Sequence, residues 1–291
     1  IEADKRLLTV PRSRLLDALK NACLRAGVRV VTHAEVIGAT SRGELLFPNN
    51  EVVQADLAVG VDGIWSKVRT SLGLERLHEQ TREGALRTMI PAEPGDFGPE
   101  DVGKYIECWN GLRRFLITPV SEHETYLALT CPHDDKDARS MPVNKALWAQ
   151  DFPQWKHLID RIGSAPVNWG VYSVTRCHAW SAGHTAIVGD AAHAQTPNLG
   201  QGGGMAMQNG LSLAVHLEGV TDKRDIPAAL ESWEATEREL TEHCQRWASL
   251  YGEVTYLPDE IRNRVMRGAM SDPWIAAQVF RAANHAPTRT K

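Results

Sequence analysis

The sequence predicts an α/β fold: an open sheet flanked by helices, interrupted by an inserted antiparallel sheet and closed by further helices. Three observations predict it. An apolar run, Ala186-Ile187-Val188, stops at Gly189-Asp190 and leads through a glycine-rich loop into a helical pattern. A second apolar stretch, 55–61, ends in the same manner at Asp62-Gly63. Between them the chain changes character, with short β-branched and aromatic runs that alternate like antiparallel strands.

Each element follows from local signals. Leu15, Leu19, Ala22 and Ala26 recur at helical spacing, so 13–26 reads as a helix stopped by Gly27. Val28 to Val31 reads as a strand. Short strands follow at 45–47 and 52–53, joined by the turn Pro48-Asn49-Asn50. The next strand runs into Asp62, Gly63 permits a turn with positive φ, and Ser66 can cap a helix beginning at Lys67. Strands of the inserted sheet are expected at 86–90, 105–109, 114–118 and 125–130. After the strand at 186–188, a helix is expected over 205–218, then helices near 227–251 and 259–270. The tail from Asn284 carries helix breakers and charge and is expected to be loose. The domain boundaries read as 1–75, 76–180, 181–252 and 253–291, the first and third forming one domain.

Composition excludes several classes. A length of 291 residues suffices for two domains or one large one. The net charge of −4 argues against a nucleic-acid surface. No apolar run approaches the ~20 residues that cross a bilayer, and no signal peptide is visible, so no membrane partner and a cytoplasmic location are expected. Cys23, Cys108, Cys131, Cys177 and Cys244 are odd in number and widely spaced, which suits reduced thiols. No metal-ligand spacing occurs among the histidines, so no metal is expected.

The chemistry lies at the two strand ends. In open α/β sheets, ligands bind beyond the carboxyl ends of strands. A glycine-rich start to a helix lets backbone N–H groups approach a ligand, and the helix N-terminus favours negative charge. The stretch Gly189-Asp190-Ala191-Ala192-His193, then Pro197, then Gly200-Gln201-Gly202-Gly203-Gly204, is therefore suited to a cofactor hydroxylated at one end and electron-rich at the other. At these residues the chain resembles the flavoprotein aromatic hydroxylases, the single-component FAD monooxygenases of the 4-hydroxybenzoate hydroxylase type. Asp62, Gly63, Ser66 and Arg69 match that family's Asp-Gly fingerprint, and the segment around Arg12 looks like its Arg-x-x-Leu segment, with Arg14 as the competing register.

The resemblance implies a Rossmann-like FAD-binding domain with an inserted substrate-binding sheet and C-terminal helices. It implies FAD contacts at Arg12, Asp62, Gly63, Asp190, Gly200, Gly202, Gly203 and Gly204, and it places Pro197 on the reaction side of the isoalloxazine. His193 is either a proton shuttle or a loop-fixing hydrogen-bond partner. The family's Gly-x-Gly-x-x-Gly loop does not occur; the expectation is that about the first quarter of a family member lies ahead of these residues, and that 1–291 alone binds FAD poorly. Gln208-Asn209 stands where many members carry Glu-Asp, which puts roles copied from that pair in doubt.

In the inserted sheet, the stretches 84–91, 105–110 and 113–119, and Glu124 to Leu129, resemble the 2-methyl-3-hydroxypyridine-5-carboxylate oxygenase branch. That likeness implies that Arg87, Arg114 and Tyr126 face the ring and its carboxylate. The implied reaction is hydroxylation of a small hydroxylated aromatic or N-heteroaromatic carboxylate by O2 and NADH or NADPH through a flavin C4a-hydroperoxide. The choice of nicotinamide, the ring and the oligomeric state (a homo-oligomer is admitted) stay open. The alternatives are another FAD oxidoreductase of this fold, although the halogenase Trp-x-Trp-x-Ile-Pro signature is absent, and a flavin-free ligand-binding fragment.

Overall fold

The structure is a computed structural model and describes residues 9–163, 167 and 169–287, the side chain of Met270 excepted. The chain resolves into two units. One comprises 1–32, 81–172 and 255–259; the other comprises 33–80, 173–254 and 260–291.

The first unit is built on an antiparallel sheet. Its strand order is Ile106–Asn110, Arg113–Pro119, Glu124–Pro132, Glu75–Pro91 and Trp169–Cys177, the last two strands continuing into residues of the second unit. Side chains alternate across a pleated strand, so register decides which residues share a face. Leu86 pairs with Leu129, Phe115 with Leu129, and Ile117 with Leu127, which gathers one apolar face. The short helices Lys145–Asp151 and Lys156–Asp160 cover that face with Trp148, Phe152, Leu158 and Ile159. Neither helix was expected from the sequence. At seven and five residues, they are too short to display helical periodicity. The opposite face carries Glu83, Arg87, Glu107, Arg114, Tyr126 and Thr130.

The helix Arg12–Arg25 forms where expected and ends at Gly27 with φ of 74°. The strand expected at Val28 to Val31 does not form, and all three valines there are exposed. A strand needs a neighbour to complete its hydrogen-bond ladder, and none of the described strands pairs with this one.

The second unit holds two three-stranded sheets. Gly38–Ala39, Glu44–Leu46 and Val52–Gln54 form an antiparallel meander, turned by a Phe47 O to Asn50 N hydrogen bond. In the other sheet, Thr185–Ile187 lies parallel to Ala58–Gly60 and antiparallel to Ser181–Ala182. Ala186, Ile187 and Val188 are buried with Val68, Trp180, Leu230 and Trp233. Gly202–Leu217 and the long helix Ile226–Val254 match the expected helices closely. Arg238 fixes the long helix by donating to the carbonyls of Cys177 (2.5 Å) and His178 (2.8 Å) and pairing with Glu242 and Glu234. The helices Asp259–Ser271, Pro273–Val279 and Arg281–Asn284 follow. Asn284, the residue from which the tail was expected to be loose, is the last residue of that helix, and residues 288–291 lie outside the described part. Among the described residues no helix is long and apolar enough to cross a membrane, and no group of histidines, cysteines and carboxylates is placed to hold a metal ion. All five cysteines are unpaired.

Candidate active site

The parallel register brings the two strand ends of the second unit together. Gly60 pairs with Ile187, and Val188 N donates to Gly60 O at 3.0 Å, so Asp62 and Asp190 leave adjacent strands on the same side of the sheet. The helix Lys67–Ser71 packs directly on the first strand. A Cβ on Gly60 would stand 2.8 Å from Val68 Cβ and Cγ1. Ser66 Oγ accepts from Arg69 N, as its position predicts.

Asp62 is occupied within the protein. Its carboxylate accepts from Ser66 Oγ (2.6 Å), Lys67 N (2.7 Å) and Val68 N (3.1 Å), so the expected cofactor contact is engaged as a helix cap. Gly63 takes the expected positive φ of 79°. Arg69 is buried, and its guanidinium joins the two loops: it donates to Ile64 O (2.8 Å) on one and Ala191 O (2.9 Å) on the other, and pairs with Glu75 (2.9 Å).

The loop beyond Val188 is held open by glycine geometry. Gly189 has φ of 65°, which turns the chain so that Asp190 begins a short helix, Asp190–His193, exposed at its first residue. Pro197–Leu199 form a single 3-10 turn closed by Gly200 in the left-handed region. The helix starting at Gly202 has no side-chain cap. Gln201 supplies only its carbonyl, accepting from Met205 N at 2.9 Å, while its side chain donates to Val279 O. A Cβ on Gly203 or Gly204 would meet no atom within 4 Å, so the protein itself does not require glycine there. The space over them is open to a ligand, and the first-turn N–H groups have no intrahelical acceptors to occupy them. Beside Gly202, the Gln195 amide nitrogen and oxygen are both buried without a partner among the described residues. Exposed Asp190, a bare helix N-terminus and an orphaned amide form a donor and acceptor set that suits an electron-rich, hydroxylated ligand.

His193 belongs to the packing beneath this loop. It is 2% exposed, and its ring lies 5.3 Å from that of Trp180. Complementary partners are obtained at both ends of the Asn209 amide when its oxygen faces His193 Nε2 (3.0 Å) and Thr241 Oγ1 (3.0 Å) and its nitrogen faces Glu237 Oε2 (3.0 Å) and Met205 O (3.3 Å). Burial pushes the imidazole down to about 4, so it is neutral at physiological pH. Of the two roles read from the sequence, the geometry fits the loop-fixing one. Asn209 thus joins His193 to the long helix.

The first unit presents a separate polar cluster. Arg87 is exposed, and its guanidinium lies over the Tyr172 ring at 5.3 Å; the Tyr172 hydroxyl meets Thr130 Oγ1 at 3.1 Å. Tyr126 is half-buried. Burial raises its phenol, with the nearby Arg87 and Arg12 charges opposing that shift. The phenols of Tyr105 and Tyr172 are likewise raised by burial. All three hydroxyls therefore remain protonated at neutral pH. Arg114 is buried between two glutamates, with Nη2 at 2.8 Å from Glu83 and Nη1 at 3.2 Å from Glu107. The sequence reading gave this guanidinium a substrate carboxylate; the structure gives it two protein carboxylates. Glu83, Glu107 and Tyr172 were not among the expected site residues. Alternation along the strands holding Glu107 and Arg114 is the signal that could have found the pairing of those two residues. Arg12 stands exposed on its helix, beside Arg14, which pairs with Glu124 at 3.2 Å.

Comparison with known proteins bears on these two clusters. A family model described as FAD binding domain matches residues 3–248. A putative 2-heptyl-3-hydroxy-4(1H)-quinolone synthase of Rhodococcus erythropolis is 38% identical over 97% of this chain and 73% of its own length. A 2-heptyl-3-hydroxy-4(1H)-quinolone synthase of Mycobacteroides abscessus is 34% identical over 90% of this chain and 69% of its own. Among solved structures, the tetrameric form of 2-methyl-3-hydroxypyridine-5-carboxylic acid oxygenase aligns with a TM-score of 0.78 at 31% identity, covering 95% of this chain and 71% of that one.

Proposed function

The chain belongs to the FAD binding domain family and is a FAD-dependent monooxygenase of the aromatic hydroxylase type, and from that premise we propose that it hydroxylates an electron-rich N-heteroaromatic ring with O2 and a reduced nicotinamide. The observation that carries this reading is the glycine-lined, uncapped helix start set beside Asp190 at the end of a parallel strand. It offers donors to an electron-rich edge and an acceptor to a hydroxylated chain, as FAD requires. The names of the relatives support a nitrogen-containing ring.

Bound FAD supplies hydride acceptance and oxygen activation. The roles of this chain's residues follow from their chemistry. Asp190 accepts from a hydroxyl of the ribityl chain. The N–H groups of Gly202, Gly203 and Gly204 direct positive potential at the flavin edge that gains negative charge on reduction. Pro197 and Gly200 shape the loop, Pro197 as an apolar surface that keeps water from the reacting side. His193, neutral and buried, holds that loop in place. Arg12 is the basic residue proposed for the phosphate and ribityl region, and Asp62 and Gly63 act through the helix start and turn they set. On the first unit, Arg87 and Tyr126 bind and orient the ring, the guanidinium taking a ring oxygen and the phenol donating a hydrogen bond. Arg114 supports the same face through its glutamate pairs.

Anaerobic stopped-flow reduction of the FAD-loaded protein by NADH and by NADPH tests the proposal, with a panel of hydroxypyridines, 4-quinolones and hydroxybenzoates. One N-heteroaromatic class should accelerate reduction by orders of magnitude and emerge oxygenated when air is admitted. Reduction indifferent to every ring, with no oxygenated product, would sink the proposal.

A further inference from the structure

We propose that Gln195 is a flavin-binding residue. Its side-chain amide turns onto the pyrimidine ring of the cofactor, accepting from the ring N3–H and donating to a carbonyl oxygen beside it. The inference rests on the reading above of the glycine-lined loop as the flavin site, and adds to it a contact outside the sequence motifs.

Gln195 lies between His193 and Pro197 on the loop that leads to the helix Gly202–Leu217. The residues on either side are tied down. Ala194 O accepts from Thr175 N (3.0 Å) and from Gln245 Nε2 (3.0 Å), and Asn198 Nδ2 donates to Thr196 Oγ1 (3.1 Å). Within this fixed frame the Gln195 amide is the exception. Its nitrogen and its oxygen are both buried, and neither has a partner among the described residues. A primary amide carries two donors and an acceptor oxygen, and leaving them unmet inside a protein is costly. Gln195 as a residue is only partly buried, so rotation about its unbranched stem can bring the amide out without moving the backbone.

The place of the side chain decides what it meets. A Cβ on Gly202 would stand 3.6 Å from Gln195 Cγ and 3.8 Å from Nε2, so the amide lies against the first residue of the uncapped helix. The N–H groups of that helix start offer donors only. A flavin pyrimidine ring carries an N–H between two carbonyl oxygens, an edge that needs an acceptor and a donor side by side. A carboxamide supplies both, and a half-turn of the amide serves either carbonyl. His193 is not a competitor for this edge, since it is held by Asn209. Two effects of opposite sign result: the unmet amide weakens the flavin-free protein, and the same amide tightens FAD. A residue that only packed the loop would strengthen both states.

Fluorescence titration of the flavin-free full chain tests this with FAD and with FAD methylated at N3, on wild-type protein, Gln195→Met and Asp190→Ala. Methionine keeps the length of the side chain and removes its polar atoms. Gln195→Met should weaken FAD about tenfold. It should also raise the urea midpoint of the flavin-free chain. Methylation at N3 should weaken binding to wild type about tenfold and to Gln195→Met by clearly less, because the partner of that N–H is already gone. A Met variant that binds FAD as tightly as wild type overturns the inference. So does a lowered urea midpoint, which would show the amide to be satisfied without flavin, and so does an N3-methyl penalty equal in the two proteins. Asp190→Ala separates this inference from the reading beneath it. If Asp190→Ala weakens FAD and Gln195→Met does not, only the present inference falls. If neither changes FAD affinity, the loop is not the flavin site and both fall.

Discussion

His193 illustrates how one residue's environment decides its chemistry. A histidine in a flavin loop invites a proton-transfer role, but this one is buried against Trp180 and bonded to Asn209. Its pKa falls from 6.5 to about 4 on folding because burial disfavours the charged ring. Between those values the unfolded chain binds more protons than the folded one, so stability falls as pH drops through this window. The slope is at most about 1.4 kcal/mol per pH unit from this group. His193→Gln should cost stability at pH 7, and that cost should shrink steadily as urea titrations are repeated towards pH 4.5. A cost that is constant with pH would show that the ring titrates normally in the folded state. The strand-end loops were legible in the sequence because Asp190, Gly200 and Gly202 lie on one continuous stretch that follows a single strand. The pairing of Arg114 with Glu83 was not: Glu83 lies 31 positions away and is brought in by strand register.

At the scale of elements, the loop after the strand Ala58–Gly60 depends on how closely a strand and a helix approach. Gly60 sits in the strand Ala58–Gly60 with Val68 of the helix Lys67–Ser71 directly over it. A methyl group placed 2.8 Å from Val68 cannot be accommodated without moving the helix that carries Arg69, the residue that ties both loops together. Gly60→Ala is expected to destabilise by about 1–3 kcal/mol, read from urea unfolding. Adding Val68→Ala removes the clash, so the double variant should lose less than the sum of the singles. Strict additivity would mean that the two positions do not press on each other. The same contrast between local and distant causes explains which elements the sequence revealed. The long helices carry their own periodicity, and the strand ends their own turn residues. The helix Lys145–Asp151 is specified mainly by Trp148 and by a sheet face formed far away in the chain. The valines at 28–31 have strand propensity, but propensity alone does not supply a ladder partner.

For the molecule as a whole, the division of labour between two units yields a test of every assignment at once. The two units have distinct cores, one around Trp148 and Phe115, the other around Trp180 and Trp233. The proposed FAD contacts in the second unit are Asp190, Gln195 and Gly202 to Gly204, on loops shaped by Asp62, Gly63 and Gly200; Arg12 is the one proposed in the first. The proposed ring contacts Arg87 and Tyr126 lie wholly in the first. A ligand that binds only the folded state stabilises by about 2.7 kcal/mol at a hundredfold excess over Kd, and hydrogen exchange reads that gain segment by segment. FAD should slow exchange most across residues 58–70 and 185–205, with a smaller effect at the start of the Arg12–Arg25 helix that Arg12→Ala removes. A bound ring should slow exchange across 83–91, 105–114 and 124–132. If the ring protected only the second unit, the arginine and tyrosine assignments would fall. If FAD protected the helix start equally well without Arg12, that residue's ligand role would fall while the glycine-lined loop kept its own.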